Sequence, residues 1–175
     1  MFTINLSMAQ VNKMTEQEFV DSVGTVFEHS PWVAKRAWGH HPFSSLEKMY
    51  ETLIEEMEKA CISLKLSLLR AHPDLGTRFE VSESSKQEQM HAGLSQLSEE
   101  EYHEFSLLNK QYVKTFDFPF IMAVKGQDKH SIKENMKTRV DNQYDEEFET
   151  ALAQVGKIAK FRLWDMVADE YRSIK

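Results

Sequence analysis

Hydrophobic residues recur through most of the chain at the three- and four-residue spacing of helices that bury one side. The clearest stripe follows Ser45 and contains Leu46, Met49, Leu53 and Met57. Two other stripes follow capping-box sequences, in which a Ser or Thr precedes a Glu by three residues. We predict about seven or eight helices: after Thr15, over 32–38, after Ser45, over 61–70, after Ser85, after Ser98, around 132–140 and over about 145–167.

The segment from Phe116 to Val124 differs from the rest because it is apolar and aromatic without a helical spacing. Its pattern is that of a buried strand, but one strand makes no sheet. We therefore predict an extended stretch threaded through helices. The predicted fold is all-α: a single compact bundle of about seven to eight helices with one extended irregular segment near 116–124.

Composition supports this fold class. The chain has 175 residues, a length that suits one domain, so we predict that residues 1–175 form a single domain. Only 6 Gly and 4 Pro are present, whereas average usage would give about 21. This shortage argues against a β-sandwich or barrel, which needs many Gly/Pro-rich turns.

The charge and the cysteine content limit which partners the protein could bind and where in the cell it could work. The net charge is −7 and no dense Lys/Arg cluster occurs, which argues against a nucleic-acid partner. No apolar run reaches the roughly 18 residues of a membrane span, and the first residues lack a signal-peptide pattern. Cys61 is the only cysteine, so no internal disulfide can form. We expect a cytoplasmic protein without a membrane partner.

Arg162 interrupts the apolar stripe of the last predicted helix. One interpretation is an arginine at the rim of the core, with its stem buried and its charge in water. The other is a guanidinium in a pocket floor, where it could grip a carboxylate or a developing oxyanion with two parallel bonds.

Two further features have a structural and a chemical interpretation. His72 follows a predicted helix and precedes Pro73, so it is either a helix cap or a rigidly held proton-transfer group. Ser85 stands three residues before Glu88, which is a capping-box spacing. The chemical interpretation makes Glu88 an acid or base and the first-turn N–H groups an anion or carbonyl site.

A metal-based alternative rests on two E-x-x-H sequences, Glu88–His91 and Glu100–His103. Paired motifs of this kind are typical of di-iron carboxylate bundles, where they lie on two separate long helices. Here the motifs are close together and separated by Gly93, so coincidence explains them better and we predict no metal site. A non-catalytic helical interaction domain is another alternative, and a charged Arg162 on a core stripe argues against it.

Short motifs in a fixed order carry a family resemblance over nearly the whole chain, from about Phe19 to Val167. They are Ser30-Pro31-Trp32, His41-Pro42-Phe43, His72-Pro73-Asp74-Leu75-Gly76, Ser85-x-x-Glu88-Gln89-x-x-Ala92-Gly93-Leu94, Leu108-Asn109, Phe118-Pro119-Phe120-Ile121, Ala123-Val124-Lys125-Gly126 and Arg162-Leu163. In these motifs the chain resembles the 2-oxo-4-hydroxy-4-carboxy-5-ureidoimidazoline (OHCU) decarboxylase family, which forms (S)-allantoin in urate degradation.

The resemblance implies an all-α, cofactor-independent carboxy-lyase that acts on a small anionic substrate and usually forms a homodimer. It implies His72 and Glu88 as the catalytic pair, with Glu88 also contacting substrate. The remaining substrate-binding residues that it implies are Pro73, Ser85, Gln89, Phe120, Ile121, Ala123, Val124 and Arg162, and it implies no metal ligand. In the segment that begins at Phe120, backbone N–H and C=O groups would make most of the contacts.

Three details qualify the resemblance. The stretch Phe27-Glu28-His29-Ser30 looks like the decarboxylase half of two-domain chains that also carry urate oxidase. We therefore expect a functional or covalent association with urate oxidase, with this chain as the front part of a longer protein. Asp117 stands where the family usually has Gly, and the stretch from His72 to Glu88 is shorter than in many relatives. If position 117 has a positive φ, Asp suits it less well than Gly.

Overall fold

A computed structural model describes residues 5–76 and 82–168 of the chain. The predicted all-α class is confirmed, and the described residues hold nine α-helices and one 3₁₀-helix. The helices are α1 (Met8–Lys13), α2 (Glu16–Ser22), the 3₁₀-helix (Val23–Val26), α3 (Trp32–Trp38), α4 (Leu46–Lys59), α5 (Ile62–Arg70), α6 (Glu83–His91), α7 (Glu99–Phe116), α8 (Lys129–Arg139) and α9 (Tyr144–Met166). Two short strands, β1 (Leu6–Ser7) and β2 (Val167–Ala168), pair in parallel.

The predicted helices agree closely with the observed ones. The long stripe after Ser45 is α4, and its four stripe residues named above are all buried. The helix over 32–38 is α3, and the last predicted helix is α9, which begins one residue earlier than expected. The predicted number of helices was slightly low because α1 buries only Val11 and therefore leaves no stripe in the sequence.

The capping boxes predicted at Thr15 and Ser98 are present. The Thr15 hydroxyl accepts from the backbone N–H of Glu18 at 3.2 Å, and the Glu18 carboxylate accepts from the N–H of Thr15 at 2.8 Å. Ser98 and Glu101 make the same reciprocal pair at the start of α7. Each box satisfies two backbone donors that the first helical turn leaves without a partner, which fixes where the helix begins.

The described residues pack as two compact units. The first unit holds residues 5–68 and 156–168. Its core includes Phe19, whose ring centroid lies 5.4 Å from that of Trp38 and 5.7 Å from that of Phe43. The Asn12 side chain both donates to and accepts from the backbone of Phe43, at 2.8 Å each. The prediction that residues 1–175 form one domain stays a prediction.

The second unit holds residues 69–76 and 82–155. Its core is an aromatic cluster around Tyr112 of α7, which has no exposed surface. The Tyr112 ring meets those of Phe116, Phe118 and Phe120 at centroid distances of 4.8, 5.9 and 5.3 Å. Phe118 and Phe120 belong to the segment predicted to be extended. Residues 119–124 are indeed neither helix nor strand.

Within the described part of the chain, every helix is too short or too polar to cross a bilayer.

Glu101 supplies a pH-dependent test of the contact between α7 and α8. Its carboxylate lies 2.8 Å from Lys129 Nζ and also accepts from the N–H of Ser98, and these bonds lower the pKa of Glu101 to about 2. A carboxyl group with a lowered pKa stabilises the fold above its ordinary pKa and loses that effect as the pH falls to the lowered value. Glu101→Gln should therefore be less stable than the parent protein at pH 7, and the difference should vanish between about pH 4.5 and pH 2.

Urea unfolding across this pH range measures the effect. Glu100→Gln is the matched control, because Glu100 is exposed in the same helical turn. Its difference from the parent should be smaller at every pH. A Glu101→Gln difference that does not change with pH would contradict this account of the pair.

Candidate active site

The segment from His72 to Gly76 forms a tight loop after α5. The backbone N–H of His72 donates to the Leu69 carbonyl at 3.2 Å, and the residue is 8% exposed. Gly76 has φ +69°, and a Cβ there would lie 3.1 Å from a Leu97 methyl and 3.2 Å from the Phe105 ring. Glycine suits this position best, because the backbone angle disfavours a side chain and a Cβ would require Leu97 or Phe105 to shift.

Two buried amides hold this loop. The Gln89 side chain accepts from the N–H of Gly76 at 3.0 Å and donates to the Asp74 carbonyl at 3.4 Å. Asn109 of α7 donates to the Leu75 carbonyl at 2.8 Å. Gln89 was predicted to contact substrate; in the structure its amide bonds to the backbone of the loop. We call this set of three bonds the loop clamp.

The start of α6 corrects one prediction. Ser85 was expected to cap the helix, but Ser82 is the cap, and its hydroxyl accepts from the N–H of Ser85 at 3.2 Å. Beginning at Ser82 puts Glu83 in the first turn, where a carboxylate interacts favourably with the helix dipole. Ser85 is instead buried within the first turn, one helical turn before Gln89. Glu88 is half-buried and adjoins Gln89.

The loop also contains an acid that sequence reasoning did not single out. Burial raises the pKa of the Asp74 carboxyl above its ordinary value. His72, Pro73 and Asp74 thus bring two titratable side chains to one short segment, beside the helix that carries Glu88.

The extended segment of the second unit begins at a strained residue. Asp117 ends α7 in the left-handed conformation with φ 63° and ψ 25°, which confirms the positive φ considered from the sequence. Its carboxylate lies 2.6 Å from Arg70 Nη2, and its carbonyl accepts from Arg70 Nε at 3.0 Å.

Side chains hold the backbone of the segment. The Ile121 carbonyl accepts from Arg139 at 2.7 Å, and the N–H of Ala123 donates to Gln154 at 2.9 Å. Phe120, Ile121 and Val124 are buried, and Ala123 is half-buried. Two backbone groups that we expected to contact substrate therefore already have protein partners, although a carbonyl oxygen can accept a second bond.

Helix α7 supports both the loop and the segment. Its buried face presents Phe105 and Asn109 to the His72–Gly76 loop, and Tyr112 and Phe116 to the extended segment. Burial and the Glu147 carboxylate raise the pKa of Tyr112, so its hydroxyl remains protonated and donates to Glu147. One helix thus fixes the two irregular segments that carry most of the predicted site residues.

Arg162 lies in the first unit, near the end of α9. Its Nη2 donates to Glu28 Oε1 at 2.9 Å, and both residues are buried. The interpretation as a solvated rim arginine is therefore wrong. The guanidinium is held inside the unit by a carboxylate that sequence reasoning had noted only as part of a motif.

The two E-x-x-H sequences do not form a cluster. His91 and His103 are both exposed, and residues 5–76 and 82–168 contain no group of three or more His, Cys, Asp or Glu side chains placed to hold a metal ion.

Comparison with known proteins identifies relatives over almost the whole chain. The family model for OHCU decarboxylase matches residues 12–164. A 2-oxo-4-hydroxy-4-carboxy-5-ureidoimidazoline decarboxylase of Haloferax volcanii is 43% identical over 165 residues, which are 94% of this chain and 98% of that protein. The uric acid degradation bifunctional protein PucL of Bacillus subtilis is 39% identical over 94% of this chain but only 33% of its own length.

A solved structure shares the fold. The crystal structure of (S)-allantoin synthase superposes with a TM-score of 0.76 at 27% sequence identity, covering 93% of this chain and 54% of that one.

The loop clamp yields a stability prediction. Gln89→Leu leaves the buried N–H of Gly76 without its acceptor, so the free energy of unfolding should fall by about 1–3 kcal/mol. Gln87→Leu is the matched control, since that side chain bonds only within α6, to Glu83. It should change stability by less than about 0.5 kcal/mol. Equal effects of the two substitutions in urea unfolding would show that the clamp bonds do not stabilise the loop.

Asp117 yields a second stability prediction. Asp117→Ala keeps the left-handed backbone and loses the ion pair, so we expect a loss of about 1 kcal/mol. Asp117→Gly relieves the backbone while losing the same pair, and its change should stay below about 1 kcal/mol. Arg70→Ala removes the ion pair and the bond to the Asp117 carbonyl but leaves the residue at position 117 unchanged, and so separates the loss of contacts from the backbone effect in thermal unfolding. An alanine variant as stable as the parent would contradict the strain at this residue.

Proposed function

The chain belongs to the OHCU decarboxylase family, and on that premise we propose that it decarboxylates OHCU to (S)-allantoin in urate degradation. Relatives of 39–43% identity over more than nine-tenths of the chain carry decarboxylase or uric acid degradation names. The fold likeness to an (S)-allantoin synthase supports the same product.

The catalytic pair in this proposal is His72 with Glu88. One observation carries the assignment: Gln89 bonds to the loop that contains His72, and Glu88 is the preceding residue on the same helix. The clamp therefore ties the segment that bears His72 to the helix that bears Glu88. Such fixed placement is what general acid–base catalysis requires, since proton transfer depends on geometry before pKa.

The proposed chemistry accounts for every electron pair. In OHCU one ring carbon bears the carboxylate and a hydroxyl group, and the next ring carbon bears the ureido group. The bond between the first carbon and the carboxylate breaks and CO₂ leaves. The electron pair of that bond forms a double bond between the two ring carbons. The π pair of the adjacent carbon–nitrogen bond moves onto nitrogen, which takes a proton. His72, oriented by Glu88, removes the hydroxyl proton as the carbonyl forms. The π pair of the new carbon–carbon double bond then forms a C–H bond at the ureido-bearing carbon, with a proton that His72 or a neighbouring group adds to one face, and this sets the configuration.

The other predicted residues hold the substrate in this proposal. Backbone groups of residues 120–124 bond the ureido and imidazoline edges, while the buried aromatic side chains of the segment exclude water. Pro73, Ser85 and Gln89 border the loop and α6. Arg162 holds the substrate carboxylate or the developing negative charge, and Glu28 anchors its guanidinium through Nη2.

The proposal also covers the oligomeric state, the location in the cell and the association with another enzyme. We propose a cofactor-independent homodimer that works in the cytoplasm, in functional or covalent association with urate oxidase. The bifunctional relatives support the last point, because this chain matches about one third of their length and they are named for uric acid degradation.

Two substitutions test the activity. His72→Ala and Glu88→Gln should each lower the rate of allantoin formation by about 10²–10⁴-fold while leaving the helical circular dichroism unchanged. The substrate is generated fresh from urate and urate oxidase, and the appearance of optically active allantoin is followed by polarimetry. The parent protein should give one enantiomer well above the spontaneous rate. Racemic product at the spontaneous rate would exclude the activity and favour a non-catalytic domain.

His91→Ala is the control for this experiment, because His91 is exposed on the same helix as Glu88. It should retain full activity. Activity should also survive dialysis against a chelator. Loss of activity in this variant, together with stoichiometric iron in the purified protein, would favour the di-iron alternative.

A further inference from the structure

A buried ion pair in the second unit has no role in the proposed chemistry. Arg139 ends α8 and Glu147 lies in the first turn of α9. Arg139 Nε donates to Glu147 Oε1 at 2.7 Å, and Nη2 lies 2.5 Å from the same oxygen. Glu147 has no exposed surface and Arg139 is 7% exposed.

Other side chains complete the bonding of the carboxylate. The Tyr112 hydroxyl donates to Glu147 Oε1 at 2.5 Å, and the Asn142 amide donates to Oε2 at 3.0 Å. Taking two charges out of water is costly, and apolar residues of similar volume often fill such a position with equal or greater stability. Stability alone is therefore a weak reason for an ion pair at this position.

The Arg139 guanidinium also contacts the extended segment. Arg139 Nη1 donates to the Ile121 carbonyl at 2.7 Å, and the guanidinium carbon lies 4.4 Å from the ring centroid of Phe120. One rigid group thus fixes both a carbonyl and a ring in two consecutive residues of the extended segment. The Tyr112 ring also packs against Phe120, nearly perpendicular to it, with the ring centroids 5.3 Å apart.

We propose that Arg139, held by Glu147, is a positioning residue that sets the backbone of residues 120–124 for substrate binding. The inference rests on the proposed function, in which that backbone contacts OHCU. A planar guanidinium can bond the Glu147 carboxylate and the Ile121 carbonyl at the same time, with fixed angles between the bonds. A lysine ammonium is a single point charge on a flexible stem and cannot reproduce this geometry.

Arg139→Lys tests the proposal directly. Displacement of substrate-binding groups by about 1 Å can cost 10²-fold in rate. We expect kcat/KM to fall 10–100-fold, mainly through a higher KM, and the enantiomeric excess of the allantoin product to fall. Kinetics are measured well below the melting temperature of the variant, so that all molecules are folded.

Lys129→Met is the matched control. It breaks the half-buried ion pair between Lys129 and Glu101, which joins α8 to α7 and does not touch the extended segment. It should lower the melting temperature and leave KM and enantiomeric excess unchanged. A merely structural Arg139 would give the same pattern as this control.

A triple variant, Arg139→Met with Glu147→Leu and Tyr112→Phe, covers the case in which Arg139→Lys does not fold. It replaces the whole charged group by apolar side chains, an exchange that cores tolerate, while removing the bond to Ile121. We expect a helical, folded protein with kcat/KM reduced at least 10-fold.

The outcomes separate the two hypotheses. Parental kcat/KM and enantiomeric excess in the folded variants would overturn the positioning role alone, because the parent enzyme would still be active. A parent protein that produces only racemic allantoin at the spontaneous rate would overturn the proposed function and the positioning role with it. Glu147→Gln should give a smaller loss than Arg139→Lys, because the amide oxygen still accepts from Arg139.

Discussion

The second unit is organised around one constraint: a stretch of buried backbone that is neither helix nor strand must find partners for its polar groups. Residues 119–124 run through an aromatic core, are mostly buried and belong to no strand ladder. A buried polar group without a partner costs about 1–3 kcal/mol. Side chains from α8 and α9 supply the missing bonds, through Arg139 to Ile121 and Gln154 to Ala123. The need for a donor to the Ile121 carbonyl thus accounts for a buried, charged Arg139.

In the His72–Gly76 loop, neutral side-chain amides satisfy the buried backbone groups. Gln89 and Asn109 satisfy an N–H and two carbonyls of the loop. Asn109 and Tyr112 are successive buried positions of α7, about one helical turn apart, so a single rigid helix fixes the loop on one side and the extended segment on the other. This arrangement preorganises irregular backbone, and preorganised donors and acceptors are the groups that stabilise charge in a transition state without reorganising.

The helices and their starts could be predicted because their signals are local. Stripes of apolar residues located α2, α4, α7 and α9, and capping boxes located two helix starts. At α6 the spacing from Ser85 to Glu88 favours Ser85 as the cap, and no local signal favours Ser82, because the choice of cap depends on contacts that are not local. The extended segment was predictable because its apolar run lacked a period.

The bonds that shape the site were not predictable, for a physical reason. Asn109 and Leu75 are 34 residues apart in the chain, and Tyr112 and Glu147 are 35 apart. No local sequence pattern identifies partners that are so far apart in the chain. Glu147 follows Asp145 and Glu146 and is typical of an acidic first turn. Arg139 is typical of a basic last turn, so only burial distinguishes these two residues from ordinary surface charges.

The net charge of −7 opposes the approach of an anionic substrate, so recognition must come from local groups. Arg162, the arginine proposed to contact substrate, is paired with the Glu28 carboxylate within its own unit, so this pair carries no net positive charge. An uncompensated cation would bind the carboxylate of the substrate tightly and so stabilise the ground state that decarboxylation must leave. Binding of that kind lowers KM without raising kcat. A guanidinium that already shares its charge with a protein carboxylate still offers directed N–H donors, and these favour negative charge that has moved off the carboxylate and into the ring. A compensated arginine therefore suits a reaction in which the substrate loses its carboxylate as CO₂.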